Sequence, residues 1–293
     1  MMTIQSWERR SQAHQIIAVS AVILFFAKLC SAWENPPKST QSVFPVGETL
    51  VYEVRWDPPA WMFFLPSVSA GEITFTFRGQ TAHKGTPAFK ITADAISSGF
   101  LPRIAGITVA DSFESIVSAP EFCSLQMSKK VREGKRQRDI LLTFNPVAGT
   151  GHYLAHDVSK RPPAELKNEP VQNVPACVQD LLSAIYYTRL QDLKIGAKVP
   201  MAVSDNGTVK KIEVRVDKQE MVDSPAGKLP ALRTEASSVF GGLFQSGGTL
   251  LIWVSDDERR LPLKFEAKVK LGKVFGTIKK IDRTNKKVNG IPE

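Results

Sequence analysis

Beyond its first thirty residues, no stretch of this sequence is apolar for long enough to cross a bilayer as a helix, which takes about 20 residues. Cysteine is scarce, three in 293 residues, and no Cys-x-x-Cys pair occurs. A thiol redox motif and a closely spaced cysteine zinc site are therefore excluded. There is no Gly-x-Ser-x-Gly elbow and no phosphate-binding glycine loop, so neither an exposed serine nucleophile nor a nucleotide cradle is offered. Histidine numbers only four. His152 and His156 stand four apart, a spacing that suits a metal on a helix, but Gly149-Thr150-Gly151 beside them reads as loop or strand. His83 is far away in sequence. No metal site, cofactor or catalytic residue is assigned, and the chain reads as a non-enzyme. Internal repeats are absent too.

What is there begins with a leader. Met1–Gln15 is polar around Arg9-Arg10, Ile16–Ala27 is apolar, and Cys30, Ser31 and Ala32 are small. That is the order of a cleavable secretory signal. Cleavage after Ala32 places Cys30 and Ala32 at the two positions that need small side chains. The apolar run is about 12 residues, short of a membrane span; a retained N-terminal anchor is the alternative. Leu29 stands where a lipoprotein signal wants a small residue before its cysteine, and Ser11-Gln12-Ala13 lacks the apolar residues of a twin-arginine signal. The expected product is a periplasmic or extracellular chain, not integral to the membrane once residues 1–32 are removed. Export leaves Cys123 and Cys177 as an even pair, a candidate disulfide outside the cytoplasm; two buried thiols are the other reading.

With 43% hydrophobic and 23% charged residues the chain is expected to fold. Residues 33–45, rich in Pro and Ser, read as a linker. Residues 46–283 read as one β-rich domain, and 284–293 as a loose tail. Leu50, Tyr52, Val54 and Trp56 alternate with Val51, Glu53 and Arg55. Ile73, Phe75 and Phe77 do the same, as do Ile212, Val214 and Val216, and Leu263 through Leu271. Period-two alternation means strands with one buried face. Glu133-Gly134 and Gly272-Lys273 mark hairpin turns. One segment has helical spacing, with Val178, Leu181, Leu182, Ile185 and Tyr186 on one face. It predicts a covering helix over about 176–189, with Pro175 before it and Asp180 in its first turn. Residues 159–175, rich in Pro, Lys and Glu, read as a loop. The fold class is mainly β: an antiparallel, strongly curved sheet, a half-open barrel or a sandwich, with one α-helix over it.

The formal charge is +9; losing Arg9, Arg10, Lys28 and Glu8 lowers it by two, to about +7 for the mature chain. Lys129, Lys130, Arg132, Lys135, Arg136 and Arg138 form the densest basic cluster. It is a candidate anion-facing patch, or a charged hairpin edge that resists aggregation. Without interleaved aromatics it does not suggest nucleic acid. Asp256-Asp257 sits between two strands. Neighbouring residues on a strand point to opposite faces, so the pair reads as a polar turn and not as an acid/base site.

Five phrases together resemble a known family. They are Val46-Gly47-Glu48-Thr49-Leu50-Val51-Tyr52; Ala70-Gly71-Glu72; Asp111-Ser112-Phe113; Val178 through Asp180, Leu181, Tyr186 and Arg189; and Ile252-Trp253-Val254-Ser255-Asp256-Asp257 through Pro262. Their order and spacing, over about residues 43–282, are similar to the bacterial envelope family called domain of unknown function 3108. The resemblance implies an exported bacterial domain with no established activity, so it supplies motif positions and no catalytic residues. A looser likeness to lipoprotein carriers with a half-open barrel is one of fold alone. The expectation is a non-enzymatic envelope protein that binds a lipid or other amphipathic ligand. A structural protein contacting glycan or a protein partner is the alternative.

Overall fold

The computed structural model describes residues 44–62, 64–99, 108–239, 248–269 and 272–284. The expected leader, most of the linker and nearly all of the tail lie outside the described residues. Fifteen strands follow one another: β1 (Thr49–Asp57), β2 (Val68–His83), β3 (Thr86–Ser97), β4 (Ala110–Ser118), β5 (Ser124–Glu133), β6 (Arg136–Asn145), β7 (Thr150–Asp157), β8 (Ala164–Val171), β9 (Gln179–Asp180), β10 (Lys198–Asp205), β11 (Thr208–Ser224), β12 (Gly227–Val239), β13 (Gly248–Ser255), β14 (Pro262–Lys268) and β15 (Lys273–Asp282). A nine-residue helix, α1 (Leu181–Arg189), lies between β9 and β10, and Ala60–Met62 forms a 3-10 turn.

All the strands belong to one sheet, in the order β8-β7-β6-β5-β4-β3-β2-β1-β15-β14-β13-β12-β11-β10-β9. Two meanders meet where the first strand pairs with the last, Tyr52 opposite Ile278. Every pairing is antiparallel except β9 with β10. The alternation seen in the sequence does its expected work: Leu50, Tyr52 and Val54 of β1 are buried and their neighbours are not. Among the described residues the fold is the mainly β, antiparallel, curved sheet with one α-helix.

The helix is shorter than its periodicity predicts. Residues 176–178 are not helical, and Gln179 and Asp180 pair with Val203 and Ser204 of β10. Asp180 is the N-cap: its Oδ1 accepts from the backbone N–H of Leu182 and Ser183, while Ser183 Oγ accepts from the Asp180 N–H. A capped Asp holds extended backbone, so the helix cannot begin before it. Val178 repeats with the helical residues because it too is buried, but as strand-like chain.

This helix is the stave around which the sheet curls. Leu182, Tyr186 and Leu190 pack into the cluster built by β2–β7. Leu181, Ala184 and Tyr187 face the cluster of β10–β13. The sheet comes round far enough for its β9–β10 end to touch β5 without sharing a ladder. Lys129 Nζ of β5 reaches Asp205 Oδ1 of β10 at 2.5 Å, Ser124 N–H donates to Val178 O, and Cys123 and Cys177 are joined by a disulfide with Cα atoms 5.1 Å apart.

The segment 159–175 is not all loop. Ala164–Val171 is the edge strand β8, exposed at all but its last residue. It carries Glu165, Lys167, Glu169 and Pro170. An edge strand needs no apolar alternation, and charge and proline there discourage pairing with other chains. That is why its sequence looks like a linker.

Candidate functional site

Between α1 and the middle of the sheet lies a cavity of ≈ 190 Å³ lined by Leu50, Tyr52, Ile73, Phe75, Ile185 and Phe265, among others. A smaller one of ≈ 50 Å³ adjoins it toward Met201, Ile212 and Thr234, and the two share Leu181, Ile185, Arg189, Leu250, Ile252 and Pro262. The lining is apolar because it is the inner face of period-two strands and one side of the helix. Its burial is graded. Leu50, Tyr52, Arg189 and Pro262, near the start of β1, are buried. Leu250, Ile252 and Phe265, whose rungs lie toward the end of β1, are half-exposed. Among the described residues the lining is thus part buried, part half-exposed, and Leu250, Ile252 and Phe265 are on its half-exposed part.

The buried part, the cavity's floor, is held by an ion pair. Arg189, in the last turn of α1, donates from Nη1 to Glu48 Oε1 at 2.6 Å and from Nη2 to Oε2 at 3.1 Å. The two side chains are 1% and 0% exposed. Nε and Nη2 of the same guanidinium donate to the carbonyls of Arg260 and Arg259, and its carbon sits 4.5 Å from the Phe44 ring centroid. Arg283 Nε approaches Glu48 Oε2 at 3.1 Å from the other side. Burial pushes the Arg189 guanidinium down, but the Glu48 charge and its hydrogen bonds outweigh this and hold it above its ordinary value. The arrangement is saturated: a guanidinium already bonded to a carboxylate and two carbonyls keeps little for a ligand.

Three of the five motif phrases, those of Glu48, Arg189 and the turn before Pro262, meet at this pair. Gly47, at φ +84°, makes the turn that sends Glu48 inward, a conformation that favours glycine. Tyr52 Oη donates to Pro262 O at 2.5 Å, tying the first phrase to the last. Asp257 accepts from Ser255 Oγ and from the Arg259 backbone and side chain, and Ser255 Oγ accepts from Leu261 N–H. That folded turn aims the carbonyls of Arg259 and Arg260 at Arg189. Asp256 binds Gln219 and Arg260. The Asp pair is thus a turn, with its two carboxylates engaged separately. Trp253 is buried, donates its indole N–H to Glu220, and carries the Lys264 ammonium 4.5 Å above its ring. Gly71 leaves no room for a side chain: a Cβ there would stand 2.1 Å from the carbonyl oxygen of Ile96. Asp111 accepts the Arg132 N–H at 2.7 Å, and burial raises its pKa.

Asp180 gathers a second polar cluster. Its Oδ2 accepts from Ser115 Oγ and Ser124 Oγ at 2.5 and 2.7 Å, besides the two helix N–H groups on Oδ1. It is a cap and a tie between β4, β5 and the helix; no histidine lies among its bonding partners. Tyr186 also lines the cavity. Its hydroxyl is buried and has no hydrogen-bond partner among the described residues.

The basic cluster does not form one face. Lys129 is buried and paired with Asp205 on the inner side of β5, so it does not belong to an anion-facing patch. Strand alternation places it opposite Lys130. Arg132 pairs with Asp139 and Arg136 with Glu133. Lys130 and Lys135 remain exposed, and Arg138 is half-exposed. His152 and His156 lie on β7, on the face opposite the buried Tyr153 and Ala155. The cavity residues Ile73, Phe75 and Phe265 read in the sequence only as strand core. Nothing in a pattern tells a filled core face from a hollow one.

Comparison with known proteins places this geometry. A protein from Brucella abortus described as a β-barrel-like protein of domain of unknown function DUF1849 shares the fold, with a TM-score of 0.54 at 10% identity, over 82% of this chain and 98% of that one. Two others are more distant in shape and carry no argument. One is a candidate exported protein of YmcC-like fold from Bacteroides fragilis (TM-score 0.36, 9% identity, 82% and 98% covered). The other is hypothetical protein CT021 from Chlamydia trachomatis (TM-score 0.34, 10% identity, 88% and 100% covered). No curated protein matches. Residues 51–279 match the family model described as "Protein of unknown function (DUF3108)", and the chain belongs to that family.

Proposed function

We propose that this protein is an exported, non-enzymatic envelope protein that holds the apolar part of an amphipathic ligand, such as an acyl chain, between α1 and the sheet. The observation that carries the reading is the ≈ 190 Å³ apolar cavity with a buried floor and a half-exposed rim. A cavity of about 150 Å³ holds a benzene molecule, so this one suits an alkyl segment of roughly six to eight carbons on the same scale. Arg189 is a structural member here, since its donors are already engaged. Export is supported by the leader and agrees with the disulfide. Among the described residues no helix is long and apolar enough to cross a membrane.

Native mass spectrometry and a fluorescent fatty-acid probe test it. The chain is expected to carry or bind one acyl ligand, and Ile185→Trp, which fills the space beside the helix, is expected to displace the probe without unfolding the protein. Purified protein that carries no lipid and binds no probe removes the reading, and a glycan or protein contact of the outer surface then stands in its place.

A further inference from the structure

The loop from β1 to β2 is built of Asp57-Pro58-Pro59-Ala60-Trp61-Met62-Phe63-Phe64-Leu65-Pro66-Ser67. Phe63 is not described. Around it, Trp61 is 68% exposed, Phe64 67% and Leu65 36%, on and after the short 3-10 turn. Large apolar side chains clustered on a proline-braced tip are unusual on a soluble surface, and Trp is the side chain most at home where hydrocarbon meets water. Ile96, at the end of β3 beside this hairpin, is 59% exposed as well. Alternating strand direction sets the β5–β6, β7–β8 and β14–β15 turns at the same end as this tip. Lys135, Lys160, Arg161 and Lys268 are exposed in or beside these turns, and the exposed Lys130 lies on β5 three residues before its end. The half-exposed cavity residues Leu250, Ile252 and Phe265 lie on rungs toward this end too.

We infer that this end of the sheet docks on an anionic lipid bilayer, with Trp61, Phe64 and Leu65 entering the interface and the surrounding lysines and Arg161 resting on the headgroups. Apolar side chains flanked by basic ones are the chemistry that such a surface recognises. Neither part suffices alone: three side chains bury little area, and a scatter of lysines binds weakly once salt screens it. Docking in this orientation sets the half-exposed part of the cavity lining toward the bilayer, so an acyl chain could pass between them without crossing water. That last step rests on the proposed ligand; the docking itself does not.

Quenching of tryptophan by brominated lipid tests the contact at one residue. The full chain and its Trp61→Phe variant are mixed with equimolar phosphatidylcholine–phosphatidylglycerol vesicles containing brominated chains, and with phosphatidylcholine vesicles alone. The difference between the two proteins reports Trp61, whatever the other tryptophans or the N-terminal apolar segment do. Trp61 is expected to be quenched by the anionic vesicles, and the effect to fall several-fold in high salt and without phosphatidylglycerol. Trp61→Ser with Leu65→Ser is expected to weaken binding about tenfold while leaving the thermal midpoint unchanged, because both positions are exposed. Lys130→Glu with Lys135→Glu tests the charge half in the same way. A Trp61 that stays unquenched overturns the inference even if the chain floats with the vesicles, and so does equal quenching by neutral lipid. The fatty-acid probe, used without vesicles, reports the cavity separately.

Discussion

Breaking the ion pair on the cavity floor is expected to cost a large share of this protein's stability. Arg189→Met keeps most of the side-chain volume against Phe44 and Tyr186 but removes the charge. It leaves Glu48, which is 0% exposed, with Arg283 alone, and strands the carbonyls of Arg259 and Arg260. Removing one partner of a buried pair typically costs about 3–5 kcal/mol, against a total of about 5–15 kcal/mol for a folded domain. With a urea m-value near the top of the usual range, about 3 kcal/mol per molar, the midpoint should fall by roughly 1–2 M. Glu48→Gln should fall comparably, because two guanidiniums are left around a neutral amide. The double variant should lose less than the sum of the two, since no charge is then left facing Glu48's position from α1. Urea unfolding followed by circular dichroism, with the disulfide intact, measures all three. If the single variants each lose under about 1 kcal/mol, or if the losses simply add, the reasoning that this pair anchors the fold is wrong.

Three further outcomes follow from the same coordinates. The disulfide closes a segment of 54 residues; on the loop-entropy argument its loss in Cys123→Ser, Cys177→Ser should cost up to about 4 kcal/mol, read as the gap between oxidised and variant melts. The four tyrosines all have pKa values raised, by burial first, above the ordinary 10.0. A raised folded value means stability that is complete below pH 10 and is lost as the pH rises through it. Ultraviolet titration should therefore show no tyrosine ionising at its ordinary pH in the folded chain, with ionisation arriving together with alkaline unfolding; a normal step ahead of unfolding contradicts this. In Gly276→Ala the new Cβ would stand 2.2 Å from the Phe265 ring, which must then shift within the cavity wall. We expect about 1–3 kcal/mol of destabilisation and altered binding of the fatty-acid probe, and an unchanged melt would show that the ring has room to spare.

Much of the fold could be read from residues because the rule involved is local. A strand with one wet face must alternate, and β1 and the β5–β6 hairpin do so. Other elements were obscured for physical reasons. The edge strand β8 buries almost nothing, so it has no pattern to find. The helix seemed five residues too long because a buried extended segment leads straight into it. Lys129 read as surface charge because its partner, Asp205, is 76 residues away.

By itself the sequence determined that strands would dominate, that a single apolar helix would cover them, and that Glu48, Arg189 and the Trp253–Pro262 phrase belong to one family pattern. Local periodicity and turn chemistry carry those facts within a few residues. Only the tertiary structure decided that the phrases meet. Glu48 and Arg189 are 141 residues apart and Tyr52 and Pro262 are 210 apart, and nothing in short-range propensity links them. It also decided that the curled sheet keeps a hollow beside its helix. A hollow is a difference between the volume enclosed and the volume filled, and the first of these exists only once all the strands are in place.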